Sequence, residues 1–296
     1  MLPQENMPST SQTSAKWFHG ASVRLTIAAG IAFATIGLSF LSTLPPDAGA
    51  KSERRITLGT GREDLEPNCG TDFSRDCVVE GKVTAYQVKR SDSSRSLPFS
   101  VPWSGKIVSW SIYLSRPTKR EIDDAGTVRP AQAPFFNELF GSPSQAGIAV
   151  LKRVKKESGP PQWRMVRQSP VETLNAYFGS RVHFALDEPL NVVAGQMIGL
   201  TIPTWAPALW KPRACNFNSI SGVLDPATCA EAEANYTWRA SRSPGKCRLG
   251  VDPDTGQPNP ALESSRPQRK ENSVRKYACY YGSNALLYTA TIVGKN

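Results

Sequence analysis

Histidine and the common catalytic motifs are nearly missing from this chain. It has two histidines in 296 residues, and His183 is the one that lies beyond the N-terminal segment. The G-x-S-x-G nucleophile turn and the G-x-x-x-x-G-K-[ST] phosphate loop do not occur. A Ser-His-Asp or Cys-His site would depend on His183 alone, without a recognisable nucleophile. The sequence therefore indicates no catalytic residue and favours a binding protein over an enzyme.

The cysteines lack the spacing of a metal site. No C-x-x-C pair occurs, so neither a metal nor another cofactor is expected. The chain has 6 cysteines, all after residue 50. An even number behind an export signal indicates disulfides. Among the connectivities that six cysteines allow, pairing neighbours along the chain joins Cys69 with Cys77, Cys215 with Cys229, and Cys247 with Cys279.

Charge is absent from LTIAAGIAFATIGLSFLSTL, which runs from Leu25 to Leu44. This run is long enough to cross a bilayer, yet Ala48-Gly49-Ala50 behind it matches a signal-peptidase site. We expect residues 1–50 to be a cleaved signal peptide or a retained N-terminal anchor. In both cases the rest of the chain lies outside the cytoplasm, so the protein is expected to be extracellular or at the cell surface. Contact with the membrane is expected only through this segment.

Strand patterns dominate the sequence after residue 76. GKIVSWSIYLS places Val108, Trp110, Ile112 and Leu114 on one face, and GIAVLKRV and QWRMVRQ form a candidate hairpin across KKESGPP. NALLYTATIVG is apolar on both faces, which is typical of a central strand. The prediction is a polar linker at 51–76 and, at 77–296, an all-β antiparallel two-sheet sandwich, jelly-roll-like, with disulfide-held loops.

Helical patterns are short. DPATCAEAEA has a capping residue followed by proline and good helix formers, so it predicts one small helix. VETLNAYF fits a helix capped by Ser169, but a strand fits equally well. APFFNELFG is expected to form a further turn. The fold should therefore contain one or two short helices.

Positive charge exceeds negative charge, with a formal net charge of +10. Lysine and arginine cluster in VLKRVKK (150–156), SRPTKR (115–120) and SRPQRKENSVRK (265–276). Such clusters either keep a solvated face soluble or attract a polyanion. Outside a cell the polyanion would be an acidic wall polymer, a lipid headgroup or nucleic acid. Nucleic acid is not expected, because no nucleic-acid-binding fold signature accompanies the charge.

The segment TIPTWAPALW, from Thr201 to Trp210, is unusually rich in tryptophan and proline. Pro203 and Pro207 predict that the preceding strand ends here. The two indoles either plug the open end of the sandwich or remain exposed as a platform for sugar rings. In the second case, basic and aromatic neighbours complete a ligand site. The predicted ligand-binding residues are Trp205, Trp210, Trp238, Arg239 and Arg242.

Several quoted segments resemble a group of uncharacterised secreted actinobacterial proteins. The likeness lies in FSVPWSGKIVSWSIYLS, LTIPTWAPALW, WRASR (Trp238–Arg242) and LLYTATIVG, and it covers roughly Cys77 to Gly294. It implies an exported β-rich domain. No activity, catalytic residue or ligand can be transferred from it.

Three functional hypotheses follow from these observations. The leading one is an exported binding module for carbohydrate or an acidic cell-envelope polymer. A structural or adhesive envelope protein that binds another protein is the first alternative, and a broad apolar patch would distinguish it. A polysaccharide-active hydrolase is the second, and it would need two carboxylates converging in a groove.

Overall fold

Antiparallel strands make up most of the part of the chain that the structure describes. The structure is a computed structural model. It describes residues 53–59, 65–67, 79–89, 98–117, 121–122, 128–129, 132–154, 158–212, 226–247 and 265–295.

The smaller of the two main sheets has four strands, in the order β1-β16-β3-β9. The strand that follows Leu287 lies inside this sheet, as its apolar faces predicted. The strands are β1 (Glu53–Gly59), β3 (Gly105–Tyr113), β9 (Arg181–Val192) and β16 (Tyr288–Lys295).

The larger sheet has eight strands, in the order β13-β7-β6-β10-β2-β12-β14, with β8 paired to β6. The predicted hairpin is confirmed as β6 and β7. The strands β13 and β14 form the two edges of this sheet, and only Tyr277 and Ala278 separate them along the chain. The sheets form a curled half-barrel. The strands are β2 (Glu80–Lys89), β6 (Gln145–Val154), β7 (Gln162–Gln168), β8 (Glu172–Thr173), β10 (Met197–Ala206), β12 (Thr237–Ala240), β13 (Val274–Lys276) and β14 (Cys279–Gly282).

The core lies between the two main sheets. Trp110 of β3 and Ile148 of β6 are both buried in the same hydrophobic cluster. Tyr288 of β16 stacks on Phe99 at 4.1 Å between ring centroids, and its hydroxyl donates to the Ile198 carbonyl of β10 at 2.9 Å. The predicted all-β, two-sheet antiparallel architecture is confirmed.

The helical predictions have mixed outcomes. DPATCAEAEA forms α2 (Pro226–Asn235), as predicted. APFFNELFG exceeds a turn, because α1 (Gln132–Phe140) places Phe136 and Phe140 on one buried face. VETLNAYF forms β8 and a 3-10 turn at Asn175–Tyr177, since the Ser169 hydroxyl accepts from the Ile148 amide and caps no helix. The remaining short strands are β4 (Glu121–Ile122), β5 (Val128–Arg129), β11 (Leu209–Trp210) and β15 (Ala285–Leu286).

Two backbone irregularities change the predicted pattern. A register shift between Ile107 and Ser109 leaves Val108 half-buried and turns Ile107 into the core. The strand β10 does not end at Pro203 as predicted. It continues to Ala206 with a shift between Ile202 and Trp205, because a bulge lets proline leave the hydrogen-bond ladder.

The predicted polar linker at 51–76 contains a strand. Glu53–Gly59 pairs with β16 over seven residues. A strand that is apolar on both faces needs a neighbour at each edge, and β1 supplies one of them.

The cysteine predictions are confirmed where the structure describes them. Cys247 and Cys279 form a disulfide, and Cys229 is also disulfide-bonded. Cys69, Cys77 and Cys215 lie outside the described residues, as do residues 1–50, so their predicted roles stay predictions. Within the described ranges, no helix is long and apolar enough to span a membrane.

Candidate anion-binding site

The three tryptophans of the predicted ligand site lie in three different places. Trp238 belongs to the main core, whereas Trp205 packs with α1, and Trp210 packs beside a third cluster around Tyr236 and Leu287. The structure therefore does not assemble the five predicted residues into one site.

Trp205 is fully buried under helix α1. Its ring centroid lies 5.2 Å from that of Phe136 and 5.4 Å from that of Phe178. The indole Nε1 donates to Asn137 Oδ1 at 2.9 Å. This arrangement fits the plug interpretation and leaves no accessible indole face for a ligand.

Trp210 is half-buried at a smaller contact. Its ring meets that of Tyr236 edge to face, with 4.9 Å between centroids. It lies in β11, which pairs with β15 through Leu286 and Ala285. The side chain thus anchors a short two-stranded sheet.

Arg242 is buried and all of its nitrogens donate. Nη2 donates to Glu80 Oε1 at 2.5 Å and to the Gly81 carbonyl at 2.8 Å. Nη1 donates to the Tyr281 hydroxyl at 2.7 Å, and Nε donates to Ser265 Oγ at 3.3 Å. The guanidinium therefore uses four of its five N–H donors within the fold.

Trp238 and Tyr281 complete this buried network. Their rings stack at 4.2 Å between centroids, and the Tyr281 hydroxyl donates to the Cys247 carbonyl. Burial raises the pKa of Tyr281 to about 12, and the nearby Glu80 carboxylate adds to the rise. The network joins β2, β12, β14 and the disulfide, so Trp238 and Arg242 hold the fold together.

A cluster of cations, all exposed except the half-buried Arg275, forms instead where β6, β7 and β13 run side by side. The described parts of two basic segments, 150–154 and 265–276, come to lie on either side of β7, because β7 pairs with both β6 and β13. These three strands contain no acidic residue. We call this cluster the cationic corner, and it consists of Lys152, Arg153, Arg164, Arg275 and Lys276.

Like charges stand directly opposite each other in the cationic corner. Lys152 and Arg164 are register partners, and both are exposed. Their Cβ atoms are therefore about 5 Å apart, a spacing at which like charges destabilise a sheet. On the opposite face, Arg153 and Arg275 are both register partners of Trp163 and lie about 10 Å apart across the sheet.

Backbone carbonyls hold two of these guanidinium groups. Arg164 Nη1 donates to the Asn272 carbonyl at 2.9 Å, and Arg275 Nη1 donates to the Arg266 carbonyl at 2.5 Å. The neighbouring carboxylate of Glu271 pairs with Arg167 at 3.2 Å. Among the described residues, no carboxylate pairs with a member of the cationic corner. Arg164 and Arg275 are thus held in place by carbonyl oxygens, and their positive charge is not neutralised by a carboxylate of the described residues.

A buried ring cluster lies beneath the arginines. Trp163 Nε1 donates to the Tyr86 hydroxyl at 3.1 Å. Burial raises the pKa of Tyr86, while the positive charges of Arg239 and Arg153 oppose the rise. Arg239 is the register partner of Tyr86, and Arg153 is the register partner of Trp163, so both arginines belong to this face of the sheet. Arg239, a predicted ligand residue, is half-exposed beside this cluster.

Two features of the described ranges concern the requirements of a metal site and the position of the single described histidine. No group of three His, Cys, Asp or Glu side chains is placed to hold a metal ion there. His183 is exposed on β9 opposite Ser111. The cationic corner remains the best candidate for function.

Sequence reasoning missed the residues that organise both regions. Glu80, the partner of Arg242, is a single acid at the start of a buried strand. Arg275 was included in the basic segment 265–276, but Arg164 was not singled out, although the predicted hairpin would have placed Arg164 near Lys152. Nothing in the sequence indicated that β13 would pair with β7.

Comparison with protein-family models, with curated proteins and with solved structures finds no match to this chain. The resemblance to secreted actinobacterial proteins stays a prediction.

Proposed function

We propose that this protein binds an acidic polymer of the cell envelope through its cationic corner. The observation that carries the proposal is the exposed pair of Lys152 and Arg164, which face each other across β6 and β7, and no carboxylate of the described residues pairs with either. Two like charges that face each other across strands are unfavourable in the free protein. A bound ligand that supplies negative charge would explain why the sheet keeps them.

The proposal places the protein outside the cytoplasm. The uncharged run from Leu25 to Leu44 and the Ala48-Gly49-Ala50 site behind it support export. The disulfide between Cys247 and Cys279 is compatible with an oxidising compartment. Recovery of the intact chain from the cytosol with reduced thiols would contradict this placement.

The test compares binding by the wild-type chain and by a Lys152→Gln/Arg164→Gln double variant. The probes are polygalacturonate, a glycerol-phosphate teichoic acid and uncharged dextran, measured by titration calorimetry at low and high salt. We expect the double variant to bind both acidic polymers about tenfold more weakly, and high salt to weaken wild-type binding because exposed charges are screened.

A matched control uses cations of the smaller sheet. Arg55 and Lys106 are exposed on β1 and β3, and the Arg55→Gln/Lys106→Gln variant removes the same charge. We expect it to bind like the wild type. Equal losses in both double variants would show that net charge alone causes binding. Binding of dextran as strong as that of polygalacturonate would also contradict the proposal.

A further inference from the structure

The exposed ring of Tyr280 lies on the face that carries Arg153 and Arg275. Tyr280 is the register partner of Arg239, which in turn is the register partner of Tyr86. Register partners project from the same face of a sheet, and the Tyr86 ring lies 5.1 Å from that of Trp163. Tyr280 therefore shares a face of the sheet with Arg153 and Arg275, and the buried rings of Tyr86 and Trp163 lie between them.

Tyr280 is also close to the corner along the chain. Four residue steps separate Lys276 from Tyr280, so their Cα atoms are about 14 Å apart at most. The edge strands β13 and β14 meet here, since Tyr277 donates its amide to the Pro161 carbonyl and Ala278 donates to the Arg242 carbonyl. One extended ligand of a few units can reach Tyr280 and the two arginines on the same face, Arg153 and Arg275.

The Tyr280 ring is held and accessible. The Arg239 guanidinium lies 5.0 Å from the ring centroid, and Arg239 Nη1 donates to the Tyr277 carbonyl at 3.2 Å. Tyr280 is 41% exposed, one of few large hydrophobic side chains at the surface of the described residues. A cation beside a ring favours recognition of an anionic group next to a flat apolar face.

We propose that the ligand of the cationic corner is an anionic polysaccharide, and that Tyr280 stacks on one of its sugar rings. The C–H face of a pyranose is apolar and matches the tyrosine ring, while its acidic substituents match Arg239 and the corner. The inference rests on the proposed function. It specifies that the ligand contains sugar rings, since the cations alone could bind any polyanion.

The experiment compares Tyr280→Ala and Tyr280→Phe in the full chain against polygalacturonate and against inorganic polyphosphate, which has no ring. We expect Tyr280→Ala to weaken binding of polygalacturonate about fivefold and to leave binding of polyphosphate unchanged. Tyr280→Phe keeps the ring and should bind both polymers like the wild type. Tyr177→Ala is the matched control, because Tyr177 is 39% exposed and its ring contacts Phe184 of the smaller sheet.

The other outcomes distinguish failure of the stacking role of Tyr280 from failure of the proposed function. If Tyr280→Ala binds polygalacturonate normally while Lys152→Gln/Arg164→Gln does not, the stacking role is wrong and the cationic corner stands. If Tyr280→Ala weakens both polymers equally, the residue acts through Arg239 and no sugar is recognised. If the wild type binds neither polymer, the proposed function fails and the stacking role fails with it.

Discussion

The buried arginine and the exposed arginines of the larger sheet differ in what surrounds their charge. The Arg242 side chain is 3% exposed, and the Glu80 carboxylate that faces it is 8% exposed. Arg153 and Arg164 project into solvent, and the neighbours across the strands include further cations. The same residue type therefore occurs in two opposite electrostatic environments within one sheet.

In the proposed function, the buried Arg242 contributes to stability and the exposed cationic corner contributes to ligand binding. A buried guanidinium is tolerated only when nearly all of its donors are paired, so Arg242 is committed to the fold. The cationic corner costs some stability through repulsion, yet it keeps charge available. We expect changes at Arg242 to alter folding, and changes at the corner to alter binding.

The largest expected effect comes from Arg242→Met. It leaves the Glu80 carboxylate buried without its cation, which should lower the free energy of unfolding by about 3 to 5 kcal/mol. Urea denaturation measures this loss.

Arg167→Met provides the control for that variant. Arg167 also contacts a glutamate, but this pair is about half-exposed, so the expected loss is within about 1 kcal/mol. Similar losses for the two variants would abolish the distinction between the buried and the exposed arginines. A Glu80→Leu/Arg242→Met double variant should lose less than Arg242→Met alone, because no unpaired charge remains.

An alkaline titration of Tyr281 tests the same network with a smaller effect. The folded-state pKa of about 12 lies above the ordinary value of 10. The neutral phenol therefore stabilises the fold fully below pH 10, and this contribution is lost as pH rises toward 12. The loss amounts to about 2 kcal/mol. Between pH 9 and pH 12, the free energy of unfolding should fall less steeply with pH for Tyr281→Phe than for the wild type. Equal slopes for the two proteins would contradict the raised pKa of Tyr281.

The fold was largely predictable because alternation of apolar side chains is local. β6, β7 and β9 follow from period two, and the β6–β7 hairpin follows from the Gly-Pro turn between them. The bulges at Val108 and Pro203 were not predictable. They depend on the neighbouring strands, which set where the ladder can absorb an extra residue.

The site was much less predictable. The basic segments were visible, but their meeting depends on β13 pairing with β7, a contact between residues more than 100 positions apart. The tryptophans were singled out by their rarity, yet Trp205 and Trp238 are buried. Rarity indicates that a residue matters, and it does not distinguish packing from recognition.

Lys152→Glu has the smallest expected effect on stability, and it should change stability and binding in opposite directions. The new carboxylate faces Arg164 across β6 and β7, so repulsion becomes attraction and the unfolding free energy should rise by about 0.2 to 1 kcal/mol. Binding of polygalacturonate should nevertheless fall by more than tenfold, because an acid now occupies the anion site. Lys106→Glu, on the smaller sheet, is the control and should change neither quantity appreciably. A variant that gains stability and still binds would show that the corner is only a solvated surface.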